Sequence, residues 1–167
     1  YIPSFLPDND SVRNDFLDYS YEIEYFDAQL GKMLKTLDEK GLLENTVVIV
    51  TSDNGMPFPR IKGQEYELSN HLPLAIMWKG GIKKPGRIIN DFVSFIDFVP
   101  TFLSLTNIKP QETTLSLLTG KSLLPVFYSD KEGIVNTKND HVIFGKERHD
   151  VGRPDEWGYP IRGIVKG

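Results

Sequence analysis

Asn45-Thr46-Val47-Val48-Ile49-Val50-Thr51-Ser52-Asp53-Asn54-Gly55 is the stretch on which the fold turns. Its first part is a short, unbroken, β-branched run with no polar alternation. Such a run predicts a strand covered on both faces, in the middle of a parallel sheet with helices on each side. Its last part, Asp-Asn-Gly, falls where the strand should end. In open α/β sheets ligands bind at the carboxyl ends of strands, where the loops fan out.

Upstream, residues 1–9 read as an extended, proline-containing arm, with Asp8, Asn9 and Asp10 offering capping oxygens to a following helix. Val12, Phe16, Tyr19, Ile23, Phe26, Leu30, Met33/Leu34 and Leu37 recur in steps of four and three. That spacing predicts one long helix over residues 11–40, stopped by Gly41. Its aromatic stripe (Phe16, Tyr19, Tyr25, Phe26) is expected to pack in the core. A helix, a short turn and a covered strand make an α/β unit.

Downstream, Gly55, Pro57, Pro59 and Gly63 make residues 53–72 a loop. Leu74–Trp78 reads as a second buried strand and Phe92–Phe95 as a third, shorter one. Asp97 opens a helix to Leu105 with Pro100 in its first turn. Residues 107–114 are polar, a subdomain boundary. Leu115–Phe127 predicts one or two short helical turns. His141–Phe144 and Pro160–Val165 read as edge strands. The expected fold is α/β: part of a mostly parallel sheet flanked by helices over 1–110, and the start of a smaller α+β subdomain over 111–167.

Composition bounds the function. The chain has 167 residues, 40% apolar and 25% charged, as in ordinary globular proteins. Its net charge is -4, with no basic patch for nucleic acid or membrane lipids. No apolar run reaches the ~20 residues of a membrane helix. Cysteine is absent, which excludes disulfides, zinc thiolates and a cysteine nucleophile within the chain. It opens on Tyr1-Ile2-Pro3 and stops at Val165-Lys166-Gly167, so a fragment of a longer protein is expected.

Asp53 and Asn54 offer one carboxylate and one carboxamide oxygen side by side, a donor set that suits a hard cation such as Ca²⁺. Gly55 lets the backbone turn away. The same three residues are also ordinary turn formers. Lys62, nine residues on, could share with a metal the charge of a bound oxyanion; otherwise it is a solvated loop lysine.

The run from the long helix through Asp53-Asn54-Gly55, with Lys62, Tyr66-Glu67 and His71-Leu72-Pro73-Leu74, resembles the second half of a type I sulfatase. Asp53-Asn54-Gly55-Met56-Pro57-Phe58-Pro59, Gly145-Lys146-Glu147-Arg148-His149-Asp150 and Tyr159-Pro160-Ile161-Arg162 resemble the heparan N-sulfatase (sulfamidase) branch within the alkaline phosphatase superfamily. The resemblance implies that Asp53 and Asn54 are ligands of a Ca²⁺ site and that Lys62 contacts the sulfate. It places His149, Asp150 and Arg162, with Arg148 and Arg153 as weaker candidates, toward a sulfated sugar such as a glycosaminoglycan. His71 reads as a structural imidazole beside a fixed turn. The implied reaction is hydrolysis of a sulfate ester or sulfamate. The implied compartment is periplasmic, secreted or lysosomal.

The sequence also departs from that pattern. Sulfatases of this type use a formylglycine nucleophile made from a Cys/Ser-x-Pro-x-Arg motif, and no such motif occurs here. With half the metal shell and no nucleophile, the chain by itself is expected to bind Ca²⁺ weakly and to be inactive. A phosphatase or phosphodiesterase of the same superfamily is an alternative, although Asn54 stands where a two-metal site would favour His. A non-catalytic carbohydrate-binding module is another. A sheet cut through its middle would expose an apolar edge and permit self-association.

Overall fold

The structure is a computed structural model and describes residues 2–147, 154–158 and 160–167. Helix α1 spans Asp10–Glu39. Asn9 caps it, the side-chain oxygen accepting from the Val12 amide at 3.1 Å. Arg13 binds Asp8 with two hydrogen bonds, 2.6 and 3.1 Å, across the helix entry. At the far end Gly41 adopts φ 68°. Its N–H donates to the Asp38 carbonyl and that of Leu42 to the Leu37 carbonyl, both at 2.9 Å. This pair of reversed bonds satisfies carbonyls the helix leaves open, in a conformation glycine adopts without steric penalty.

A 3₁₀ turn, Leu43–Asn45, leads into β1, Val48–Thr51. Strand β2 is Leu74–Met77. The two pair antiparallel, Val48 opposite Met77 and Thr51 opposite Leu74. The expected parallel pairing is therefore corrected for these strands. The connecting segment folds back on itself, adds one helical turn (α2, Glu67–Asn70), and re-enters at the end of β1 it left. Without a crossover along the strand, the second strand must run the other way. Nor are both faces covered here: β1 is half-exposed along its length, and Leu74 and Ala75 of β2 are exposed.

The stripe of α1 is corrected too. No residue of the helix is fully buried. Phe16 and Tyr19 are half-covered, whereas Tyr25 and Phe26 are exposed. The expected strand at Phe92–Phe95 does not form. The chain there enters a 3₁₀ turn, Phe95–Asp97, that runs directly into α3, Phe98–Leu105. Asp97 is buried and accepts from the amides of Ser94 at 2.8 Å and Lys121 at 2.7 Å. A capping carboxylate at this place favours the turn over a ladder. Residues 115–123 are not helical; the helical turn is α4, Leu124–Phe127.

The last two strands, β3 (His141–Lys146) and β4 (Ile161–Lys166), pair antiparallel from His141 opposite Lys166 to Lys146 opposite Ile161. Both fall where the sequence places them. The buried apolar residues are few: Leu43, Ile61, Leu123 and Phe127. Side-chain to backbone bonds carry much of the long-range order. Thr101 is buried, donates to the Asp97 carbonyl at 2.6 Å and accepts from the Leu123 amide at 2.8 Å. Asp91 accepts from Val135 and Asn136, and Arg87 donates to the carbonyls of Lys84, Lys131 and Val126. Those from Leu123 to Thr101, from Val135 and Asn136 to Asp91, and from Arg87 to Lys131 and Val126 join residues before and after position 110. No helix among the described residues is long and apolar enough to cross a membrane.

Candidate functional site

The loop after β1 is built around one residue. Ile61 is fully buried. Its N–H donates to the Phe58 carbonyl at 3.1 Å, and its own carbonyl accepts from Gln64 N–H at 3.1 Å and from the Ser69 hydroxyl. Ser69 is itself buried. The Gly55 amide closes the loop by donating to the Ser69 carbonyl at 3.2 Å. A Cβ at Gly55 would lie 2.7 Å from Ile61 Cγ2 and 2.9 Å from Ser69 Cα, and would also strike the Leu68 carbonyl. Glycine is required there by space.

Phe58 ties the loop to the long helix. Its ring stacks on Phe16 with centroids 4.0 Å apart and planes 4° from parallel, and meets Tyr19 edge-on at 5.8 Å. Aromatic pairs in these geometries attract beyond their area burial. The backbone then turns through left-handed positions at Arg60 (φ 63°) and Gly63 (φ 72°). Lys62 stands between them, exposed, next to the buried Ile61.

Asp53 and Asn54 occupy the exit of β1, as the strand boundary requires. Asp53 is exposed, and among the described residues its carboxylate takes part in no hydrogen bond or ion pair. Asn54 is half-buried. Its amide nitrogen donates to the Gly55 carbonyl at 2.8 Å, which turns the carboxamide oxygen the opposite way. The Ser52 hydroxyl donates to the Asn54 carbonyl at 3.1 Å. Thr51 Oγ1 on β1 and Glu65 Oε2 in the following loop are buried with no hydrogen-bond partner among the described residues. Asp53 and Asn54 supply oxygen donors only, a chemistry that suits a hard cation such as Ca²⁺ better than a transition metal. The set is partial. No group of three or more His, Asp or Glu that could hold a metal is found among the described residues.

His149 and Asp150, with Arg148 and Arg153, fall outside the described residues. Arg162 is on β4, its guanidinium paired with Glu147 and donating to the Ile161 carbonyl at 2.9 Å. It lines an open hollow of about 310 Å³ with Phe144, Lys146 and Glu147; Asp53, Asn54 and Lys62 do not line it. His71 is exposed, with its Nδ1 3.4 Å from Glu67 Oε1 one turn earlier. Ile61 and Ser69 carry no sequence pattern that singles them out. An aromatic between Pro57 and Pro59 was a signal that the loop is pinned. Lys146, part of the Gly145–Asp150 stretch quoted for the resemblance, is joined to this loop: its ammonium donates to the Gly63 carbonyl at 2.6 Å, a contact no local pattern predicts.

The family model for sulfatases matches residues 4–108, and the chain belongs to the sulfatase family. Within it, the chain is similar to the human N-sulphoglucosamine sulphohydrolase, 30% identical over 98% of this chain and 32% of that protein. It is similar to an ulvan-active sulfatase of Formosa agariphila, 35% identical over 66% of this chain and 18% of that protein. Human arylsulfatase K is 36% identical over 69% of this chain and 21% of its own length. The chain thus spans at most about a third of these relatives, 18–32% of their length. The α/β fold of the family and the heparan N-sulfatase-like resemblance stand on these matches.

Proposed function

We propose that this chain carries part of the active site of a hydrolase that cleaves sulfate esters or sulfamates on sulfated carbohydrate. The similarity to the N-sulphoglucosamine sulphohydrolase over 98% of the chain carries this reading. Asp53 and Asn54 would hold Ca²⁺ through their side-chain oxygens. Bound there, the ion supplies positive charge toward the sulfate oxygens. Lys62 adds a second positive charge from a loop whose backbone is fixed on both sides, so little reorganisation is needed as negative charge builds. Lys62 provides a point charge rather than the two-pronged contact of arginine. The chain has neither cysteine nor a serine followed by Pro and Arg at the required spacing. The nucleophile is therefore assigned to another part of a longer protein, and this chain alone is inactive. Periplasmic, secreted or lysosomal residence accords with that activity.

The test uses the full-length protein with glucosamine N-sulfate and an aryl sulfate ester as substrates. Sulfate release should depend on added Ca²⁺ and stop with a chelator. D53N should lower kcat/KM about 100-fold, in line with loss of a charged metal ligand. Hydrolysis of phosphate esters instead, with bound zinc or manganese, would sink the proposal. Which substrate is turned over decides between S–N and S–O cleavage.

A further inference from the structure

The loop that bears Lys62 is anchored on two sides. Before Lys62, Ile61 is sunk in the core and held through its carbonyl by Gln64 and Ser69. After it, the Gly63 carbonyl receives the ammonium of Lys146 at 2.6 Å. Lys146 comes from β3, 83 positions along the chain, and is half-buried. A charged donor on a neutral carbonyl is stronger than an ordinary amide bond and is weakened less by solvent when partly covered. Gly63 has φ 72°, so its peptide plane is set by a conformation that few other residues adopt. No other bond in the described structure ties residues 61–66 to the β3–β4 hairpin.

We infer that Lys146 is a positioning residue: by holding the Gly63 carbonyl it fixes the backbone from which Lys62 reaches the anion. The inference rests on the reading of Lys62 given above, and two readouts keep them apart. The first is amide hydrogen exchange of the full-length protein without substrate. K146M should speed exchange across residues 61–66 at least about 10-fold, with exchange in α1 unchanged, because local opening free energies track local bonds. K146R, which can still donate, should restore most of the protection. The second is kinetic. K146M should lower kcat/KM about 10-fold, since small misplacements of a charge-stabilising group are costly. Added to K62M, K146M should cost nothing more, because both act through one side chain. Unchanged exchange in K146M overturns the tether, whatever the enzyme hydrolyses. Fully multiplicative losses in the double variant overturn the positioning role. If the wild-type protein releases no sulfate while exchange behaves as stated, the tether stands and the sulfatase reading of Lys62 fails.

Discussion

Single residues in the loop after β1 have separable jobs. Gly55 has no room for a side chain, because Ile61, Leu68 and Ser69 close over it. Overpacking against backbone is costly, so G55A should lower unfolding stability by about 2 kcal/mol or more in urea titrations. A change below about 0.5 kcal/mol would mean the loop opens freely. Lys62 is exposed and holds no packing role, so K62M should leave the urea midpoint in place. If Lys62 acts as proposed, the same change should lower kcat/KM for sulfate release by the full-length protein about 100-fold, the scale of removing one preorganised charge. Asp53 and Asn54 were legible in the sequence because a β-branched run ending in Asp-Asn-Gly fixes where a strand stops. Ile61 was not, because a single apolar residue in a loop carries no period.

At the scale of elements, two devices hold loops to regular structure. Phe58 lies between the strand exit and the helix, stacked on Phe16 and edge-on to Tyr19. F58A should cost about 1–2 kcal/mol, the pair attraction plus part of the burial of a half-covered ring. The same change should also lower kcat/KM, because the loop bearing Lys62 loses its contact with α1. The second device is Asp97, which serves the amides of Ser94 and Lys121 at once. Asp97→Ala leaves both donors without an acceptor in a partly buried place, for a loss of about 1–3 kcal/mol by calorimetry. The β3–β4 hairpin carries a pH marker at its open end. Bonds from His141 first, then Lys166, hold the Asp140 carboxyl below its ordinary value of 3.8. A carboxyl lowered on folding stabilises above its unfolded value, and that contribution fades as pH falls through the folded one. NMR titration should place the Asp140 midpoint below 3.8, and H141A should raise it. A midpoint at or above the ordinary value would show that the bond does not form.

For the whole molecule, the described residues bury little and expose much. Tyr21, Tyr25 and Met33 of α1 are each more than 60% exposed, and Phe26 is 54% exposed. Several large apolar side chains exposed on one helix offer surface for association. Strand β1 has one neighbour, β2, so its other edge is open among the described residues. As an isolated 167-residue chain the protein should bind an apolar fluorescent dye and sediment faster as its concentration rises. A longer protein that covers this face should do neither at the same concentrations. Equal dye binding by both would show that the face stays bare in the longer protein.

The sequence alone determined the local elements of this protein. The four-three spacing set α1, Gly41 set its end, and the short apolar runs set β1, β3 and β4. It also placed Asp53 and Asn54 at a strand exit, because neighbours in sequence stay neighbours in space. Tertiary structure decided what joins to what. The direction of β2 depended on where the connecting loop returned, which no residue type encodes. The exposure of Tyr25 and Phe26 depended on which surfaces this length of chain can cover. The meeting of Lys146 with Gly63 spans 83 positions. Contacts at that distance come from the closing of the chain on itself, and a linear pattern carries no record of them.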